Sequence, residues 1–200
     1  MFNRLDDEFL GLLDKSRCFE MPMGAESGSD GILDLVKKKI TAEDIRQSAQ
    51  VTRRSKVIPQ YSFMGGFPGE RIEDLHKTLD CIDAIWAINP RIKVNGLFFA
   101  TPFPGTELFE LAKAHGYVPP KSLEEWSNID FILSGGNLPY VPADLRRELE
   151  IFSLIVRFRY LWMHSATFVA NRKNFGTPKY WGFVLFRILF KPFDMVLRLR

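Results

Sequence analysis

Hydrophobic and polar positions along residues 5–118 alternate between two periods, and that alternation predicts the elements. Apolar residues three and four apart predict a helix over residues 5–13, and a short apolar run predicts a strand over residues 18–23. Helical spacing returns over residues 31–38. Thr41 then marks the start of a second helix, because its hydroxyl can satisfy free amides while Glu43 and Asp44 favour the positive helix end. "IPQYSFMGG" reads as a second strand running into a glycine-rich turn. "RIEDLHKTLDCIDAIWAIN" places Ile72, Leu75, Leu79, Ile82, Ile85 and Trp86 on one helical face and stops at Pro90. A third strand, "RIKVNGLFFA", leads through "TPFPGT" into a short helix closed by Gly116.

Strands separated by helices predict an α/β fold with a parallel sheet. Each strand is followed by a conspicuous turn, at residues 24–29, 65–70 and 101–106. The carboxyl ends of parallel strands share one edge, and ligands bind there in open sheets and in barrels alike. Glu26 and Ser27 fall on that edge. A carboxylate that accepts two hydrogen bonds suits the hydroxyls of a ribose, and glycines let a backbone approach an extended molecule closely, so a nucleotide-like cofactor fits. The competing structural reading is that Glu26 caps the helix beginning near Ser29 and that the glycines only satisfy turn geometry.

Composition adds a division of the chain. Of 200 residues 46% are apolar, enough for a core, and 18 are phenylalanine. The net charge of +3 hides an asymmetry: residues 142–200 carry 11 Lys or Arg against four acids, whereas the first 141 residues carry 16 against 20. Two cysteines, Cys18 and Cys81, exclude a disulfide framework or a cysteine-based metal motif and suit a reducing cytosol. The acidic start "MFNRLDDEFLGLL" is unlike a signal peptide, and nowhere do 18 apolar residues run without a charge. His76 and His115 lack partners at metal-ligand spacing and read as surface residues; Cys81 reads as a core residue.

The segments "MGAESGSDGILDLVKKKIT", "YSFMGGFPGERIEDLHKTLD" and "GLFFATPFPGTELFELAKAHG", followed by "PPKSLEEW", as a series resemble the radical S-adenosylmethionine superfamily. The likeness covers about residues 1–130 and is greatest to the group that often carries an N-terminal cobalamin-binding domain. It implies the carboxyl-terminal half of a partial (β/α) TIM-like barrel, followed over residues 131–200 by a basic, aromatic helical extension. It also implies S-adenosylmethionine contacts. Glu26 would take the ribose hydroxyls with Ser27 beside it, Ser62 would lie near the ribose and amino group, and Lys38 would face the cofactor's carboxylate. The alternative for Lys38 is a solvated lysine within "KKK". Gly65, Gly66 and Phe67, with Pro68 and Gly69, match the family's glycine-rich turn. Phe99, Ala100, Thr101 and Pro102 match the stretch expected to contact adenine.

The family's CxxxCxxC loop, which holds a [4Fe-4S] cluster, is missing from these 200 residues, and Cys18 and Cys81 cannot replace it. The chain alone is therefore expected not to cleave S-adenosylmethionine, Met1 reads as an internal start or truncation point, and the natural partner is the missing N-terminal half of the barrel. The expected function is that of a carboxyl-terminal enzyme part acting on a small hydrophobic metabolite, with cobalamin in the complete protein. The alternative is a non-catalytic module that binds a nucleotide-like ligand or a partner through its open edge. "SLEEWSNIDF" is expected to cover the barrel mouth, and a long aromatic helix to run over residues 143–171. In "FVLFRILFKPFDMVLRLR" the charges at 187, 191, 194 and 198 form one stripe. Residues 181–200 thus suit peripheral contact with the inner membrane surface by an otherwise cytoplasmic protein, or packing on the missing part of the enzyme; a nucleic acid ranks behind both.

Overall fold

The computed structural model describes residues 2, 5–129, 138–170 and 176–197. Three strands, β1 (Glu20–Glu26), β2 (Ile58–Gly65) and β3 (Lys93–Phe99), form one parallel sheet in the order β1-β2-β3. Helix α1 (Asp7–Lys15) precedes β1, α2 (Asp30–Leu35) and α3 (Ala42–Thr52) join β1 to β2, and α4 (Ile72–Ile88) joins β2 to β3. The short helices α5 (Glu107–Ala114) and α6 (Leu123–Ser127) follow, then α7 (Ala143–Ala170) and α8 (Pro178–Leu197). The architecture is mixed α/β with a small parallel sheet. No closed barrel forms among the described residues, and the fold is that of a partial β/α unit.

Local signals in the chain set several boundaries. Thr41 and Asp44 form a reciprocal capping box, with Thr41 Oγ1 accepting from the Asp44 amide and the Asp44 carboxylate accepting from the Thr41 amide. Gly116, after α5, takes the left-handed conformation, φ +87°, that favours glycine at a helix end. The first strand lies later than its hydrophobic run predicts. β1 runs from Glu20 to Glu26, so Gly24, Ala25 and Glu26 belong to the strand and the turn begins only at Ser27. Helix α2 likewise stops at Leu35, three residues short of its predicted end.

One face of the sheet carries the core. Met21, Met23 and Ala25 of β1, Tyr61 and Phe63 of β2, and Val94 and Leu97 of β3 pack against Ile45 and Ala49 of α3 and Leu75, Ile82 and Ile85 of α4. Tyr61 Oη and Ser48 Oγ share a 2.6 Å hydrogen bond that ties β2 to α3, and burial pushes the phenol up to about 12. The opposite face is only half covered. It carries Pro22 and Gly24, Gln60, Ser62 and Met64, and Phe98, whose ring folds over Gly96. At its amino end Lys93 reaches across β2 to an ion pair with Glu20.

Helix α7 packs along β3. Gln60 Nε2 donates to Tyr160 Oη at 3.2 Å, and the Arg159 guanidinium stacks 3.7 Å above the Trp86 ring. His76 Nε2 donates to Glu148 at 2.7 Å and joins α4 to α7, a structural role that agrees with its reading as a surface histidine. Cys81 is buried in α4, and burial raises its thiol to about 11. Among the described residues β1 pairs with β2 alone, so its outer edge is unpaired.

Gly28 fixes the approach of the β1–α2 turn to α4. A Cβ there would lie 2.5 Å from Lys77 O and 2.6 Å from Cys81 Cβ. Gly28→Ala is therefore expected to cost about 1–3 kcal/mol in urea unfolding, the range for overpacking. At Gly31 the nearest atom to a Cβ is Ser29 Oγ, 3.9 Å away, so Gly31→Ala should leave stability unchanged or slightly raised. Equal costs at both positions would contradict this packing.

Candidate active site at the strand ends

The carboxyl edge of the sheet is built by three turns that the parallel register brings together. At the end of β1 the Ser27 amide donates to Ala25 O at 2.9 Å, closing a three-residue turn on Glu26, whose φ is +64°. That conformation is strained for a side chain with a Cβ and is the rarer form of such a turn. The pairing with β2 shifts register at the same point, between Gly24 and Glu26. The strain is stabilised from behind by α4. Thr78 Oγ1 shares a 3.0 Å hydrogen bond with Ser27 Oγ and accepts from the Gly28 amide, while Ser29 Oγ donates to Asp74 Oδ1 at 2.7 Å. Glu26 therefore does not cap α2; its N-cap is Ser29.

Held this way, the Glu26 side chain folds back over Gly24 and accepts from Lys38 Nζ at 2.7 Å. Both side chains keep part of their surface in solvent, 22% for Glu26 and 30% for Lys38. A Cβ at Gly24 would overlap the Glu26 carboxylate and lie 3.2 Å from Lys38 Nζ. Gly24 is thus the floor of a small polar corner. Ser62, half-buried, is the register partner of Gly24 on β2 and lies on the same face.

At the end of β2, Gly66 and Gly69 take the left-handed backbone, each with φ +81°. Glu70 returns into the turn it terminates. Its Oε2 accepts from the amides of Gly66 and Phe67, at 2.5 and 3.0 Å, while Oε1 is buried without a hydrogen-bond partner. Burial raises this carboxyl to about 7, against the opposing pull of the two amides. β3 ends as β1 does, with the Thr101 amide donating to Phe99 O at 2.8 Å, and the Ala100 amide extends the ladder to Gly65 O at 2.8 Å. Ile32, Phe67 and Ala100 form a small apolar cluster with Val36, Met64 and Leu108. Beside it a cleft of 620 Å³ opens between α2 and α5, lined by Leu35, Val36, Thr106, Glu107, Leu108 and Leu111. Phe103 of the last turn stacks on Trp126 of α6, with ring centroids 6.0 Å apart.

The sequence-derived residues separate into two groups. Glu26, Lys38 and Ser62 gather on the half-covered side of the edge. Ser27 is fully buried and turned to α4; Gly65, Gly66, Phe67, Phe99, Ala100, Thr101 and Pro102 are also buried and form the frame behind the corner. Sequence reasoning missed Glu70, Asp74 and Thr78. The acid directly after "GGFPG" was the available signal for Glu70; nothing local marks Thr78, which acts through a helix 50 residues away from Gly28. Among the described residues no three His, Cys, Asp or Glu side chains come together to hold a metal ion. No described helix is long and apolar enough to cross a membrane.

No protein-family model matches the chain. It is similar to a methyltransferase of Pyrococcus horikoshii, described as uncharacterized, with 25% identity over 131 residues. That match covers 66% of this chain and 28% of the relative, so the chain spans less than a third of the protein it resembles.

The Glu70 clamp makes stability depend on pH. With its carboxyl near 7 in the fold and 4.5 as the ordinary value, the folded state holds a proton between those pH values that the unfolded state has released. Its stabilising contribution is full below about 4.5 and is lost as pH rises through 7. Glu70→Gln keeps an acceptor for both amides without the titration. Relative to wild type it should gain stability as pH rises through that window, by up to about 1.4 kcal/mol per pH unit. Urea unfolding from pH 4 to 8 checks this, and a difference independent of pH would contradict it.

Proposed function

We propose that the carboxyl edge of the sheet is an S-adenosylmethionine site, and that the chain is the carboxyl-terminal part of a methyltransferase of the radical S-adenosylmethionine class. The observation that carries the reading is the Glu26 corner. A strained backbone at a strand end holds an acidic side chain over a glycine, beside a lysine, on the half-covered side of a parallel sheet. Backbone strain of this kind persists where the surrounding structure enforces it, and it concentrates at functional sites. The similarity to a methyltransferase supplies the class of cofactor.

The donor set fits the molecule. The Glu26 carboxylate accepts from two ribose hydroxyls, the pairing for which a bidentate acceptor is suited. Lys38 Nζ has three donors and spends one on Glu26, leaving others for the cofactor's carboxylate. Ser62 offers a hydroxyl on the same face. In this reading adenine would lie against the edge formed by residues 99–102, which the buried cluster of Ile32, Phe67 and Ala100 supports from behind. When bound, S-adenosylmethionine supplies an activated methyl or adenosyl group through its sulfonium. The protein's part would be to bind and orient it through Glu26, Lys38 and Ser62.

A [4Fe-4S] cluster does not fit the residues present. Cys18 Sγ donates to Glu20 O at 3.3 Å at the amino end of β1, whereas Cys81 is buried within α4. In this proposal cluster ligands belong to the larger part of the protein, whose barrel strands would pair with the free edge of β1. The substrate would meet the half-covered face, where Pro22, Met64 and Phe98 favour a small hydrophobic molecule.

Calorimetric titration of the 200-residue chain with S-adenosylhomocysteine tests the site. The wild type should bind, and Glu26→Ala should weaken binding at least tenfold, as expected for loss of hydrogen bonds to a charged group. Gly24→Ala should act similarly, because its new methyl displaces the Glu26 carboxylate and crowds Lys38 Nζ, both ends of flexible side chains. No binding by a folded wild type, or equal binding by the variants, would favour the alternative of a non-catalytic module whose open edge takes a partner.

A further inference from the structure

The final quarter of the chain carries an unusual charge. Between residues 151 and 200 nine Lys or Arg stand against one acid, Asp194. Helices α7 and α8 of this region pack on each other through Phe158 and Trp162 against Phe186 and Phe190, with ring centroids 5.6 to 6.0 Å apart across the contact. That contact occupies one side of α8. On another side Trp181, Leu185, Ile188 and Leu189 recur at spacings of four, three and one, and they are exposed by 55%, 56%, 66% and 63%. Leu154 and Leu161 of α7 flank Phe158 at spacings of four and three, and both are exposed. Half-buried Arg157 lies beside them. Both helices thus expose large apolar side chains, and extended apolar stripes of this kind mark interaction sites.

We infer that this α7–α8 surface docks on an anionic lipid bilayer, with both helices in the plane of the interface. Charge complementarity selects the occupant. The exposed apolar stripe is accompanied by half-buried Arg157 and exposed Lys179, and the sequence of residues 151–200 holds nine Lys or Arg against one acid, the balance that attracts acidic headgroups. Trp181 stands at the start of the stripe, and an indole favours the boundary where one side is apolar and the other wet. Neither described helix is long and apolar enough to cross the bilayer, so a membrane would meet this surface by its lying on the interface. Long basic side chains can bury their stems at such an interface while their charges reach the phosphates. The surface uses none of the residues of the proposed cofactor corner, and its test stands apart from that reading.

The experiment is co-sedimentation of the 200-residue chain with vesicles of phosphatidylcholine alone and of equimolar phosphatidylcholine and phosphatidylglycerol. The chain should bind the anionic vesicles at least about tenfold more tightly than the neutral ones. Its tryptophan emission should shift to the blue on binding, and most of that shift should vanish in Trp181→Phe. The double variant Leu185→Glu and Leu189→Glu, at exposed positions, should lose sedimentation while keeping the helical circular dichroism of the wild type. Failure to sediment with anionic vesicles, or equal binding to both compositions, would overturn the inference. A dimer that forms with rising concentration, ignores vesicles and is dissolved by the double variant would also overturn it, assigning the face to a second copy instead.

Discussion

The parallel pairing of β2 with both β1 and β3 is the constraint on which the candidate site depends, because it sends three separate turns to one edge of a sheet only three strands wide. From that pairing follow the short distances that need glycine. Gly24 lies under the Glu26 carboxylate, Gly28 against the backbone of α4, and Gly96 under the Phe98 ring. The same pairing places Ser62 opposite Gly24. Helix α4 then stiffens the edge from behind through Thr78 and Asp74, so the strained turn at Glu26 is held by contacts outside its own segment.

Two glutamates on this edge show how burial divides one residue type into two roles. Glu70 is buried, its carboxyl is raised to about 7 by loss of solvent, and it spends one oxygen on the amides of Gly66 and Phe67. It shapes the turn. Glu26 keeps contact with solvent and with Lys38, and its second oxygen has no hydrogen-bond partner among the described residues. In the proposed reading that oxygen is the one a ligand would meet. The distinction matters because a buried carboxylate without a full set of partners is costly, whereas a half-exposed one can exchange water for hydroxyls at little cost.

Much of the fold was legible in the chain because its signals are local. Hydrophobic period marks the three strands and the helices between them, Thr41 and Asp44 announce their capping box, and the alternation of elements requires the parallel sheet. The ends of β1 and α2 were less legible. The run of apolar residues stops at Met23, but pairing with β2 carries the strand on through Gly24 to Glu26. Within the site, Glu26 and Lys38 could be named from residue type and position. The ion pair between them could not, since it depends on how α2 returns Lys38 to the strand end, nor could the burial of Ser27 against Thr78, which depends on α4 being brought close by the tertiary fold. Glu70 is an intermediate case, adjacent to its turn in sequence yet recognisable as a clamp only once its carboxylate is seen folded back. Residues 130–131 of the segment expected to cover the barrel mouth lie outside the described residues, as do 132–137 of the following connector and 171–175 and 198–200 of the extension.

The central claim is that the strand-end corner, not the helical extension or the outer clefts, receives an adenosyl ligand. Amide nuclear magnetic resonance spectra of the chain, recorded as S-adenosylhomocysteine is added, test it most directly. The account predicts saturable shifts concentrated at residues 24–27, 62–67 and 99–102, with the amide of Ser27, which closes the strained turn, among the largest. Shifts confined to α7 and α8, or to the cleft between α2 and α5, would contradict it, as would a spectrum that does not change.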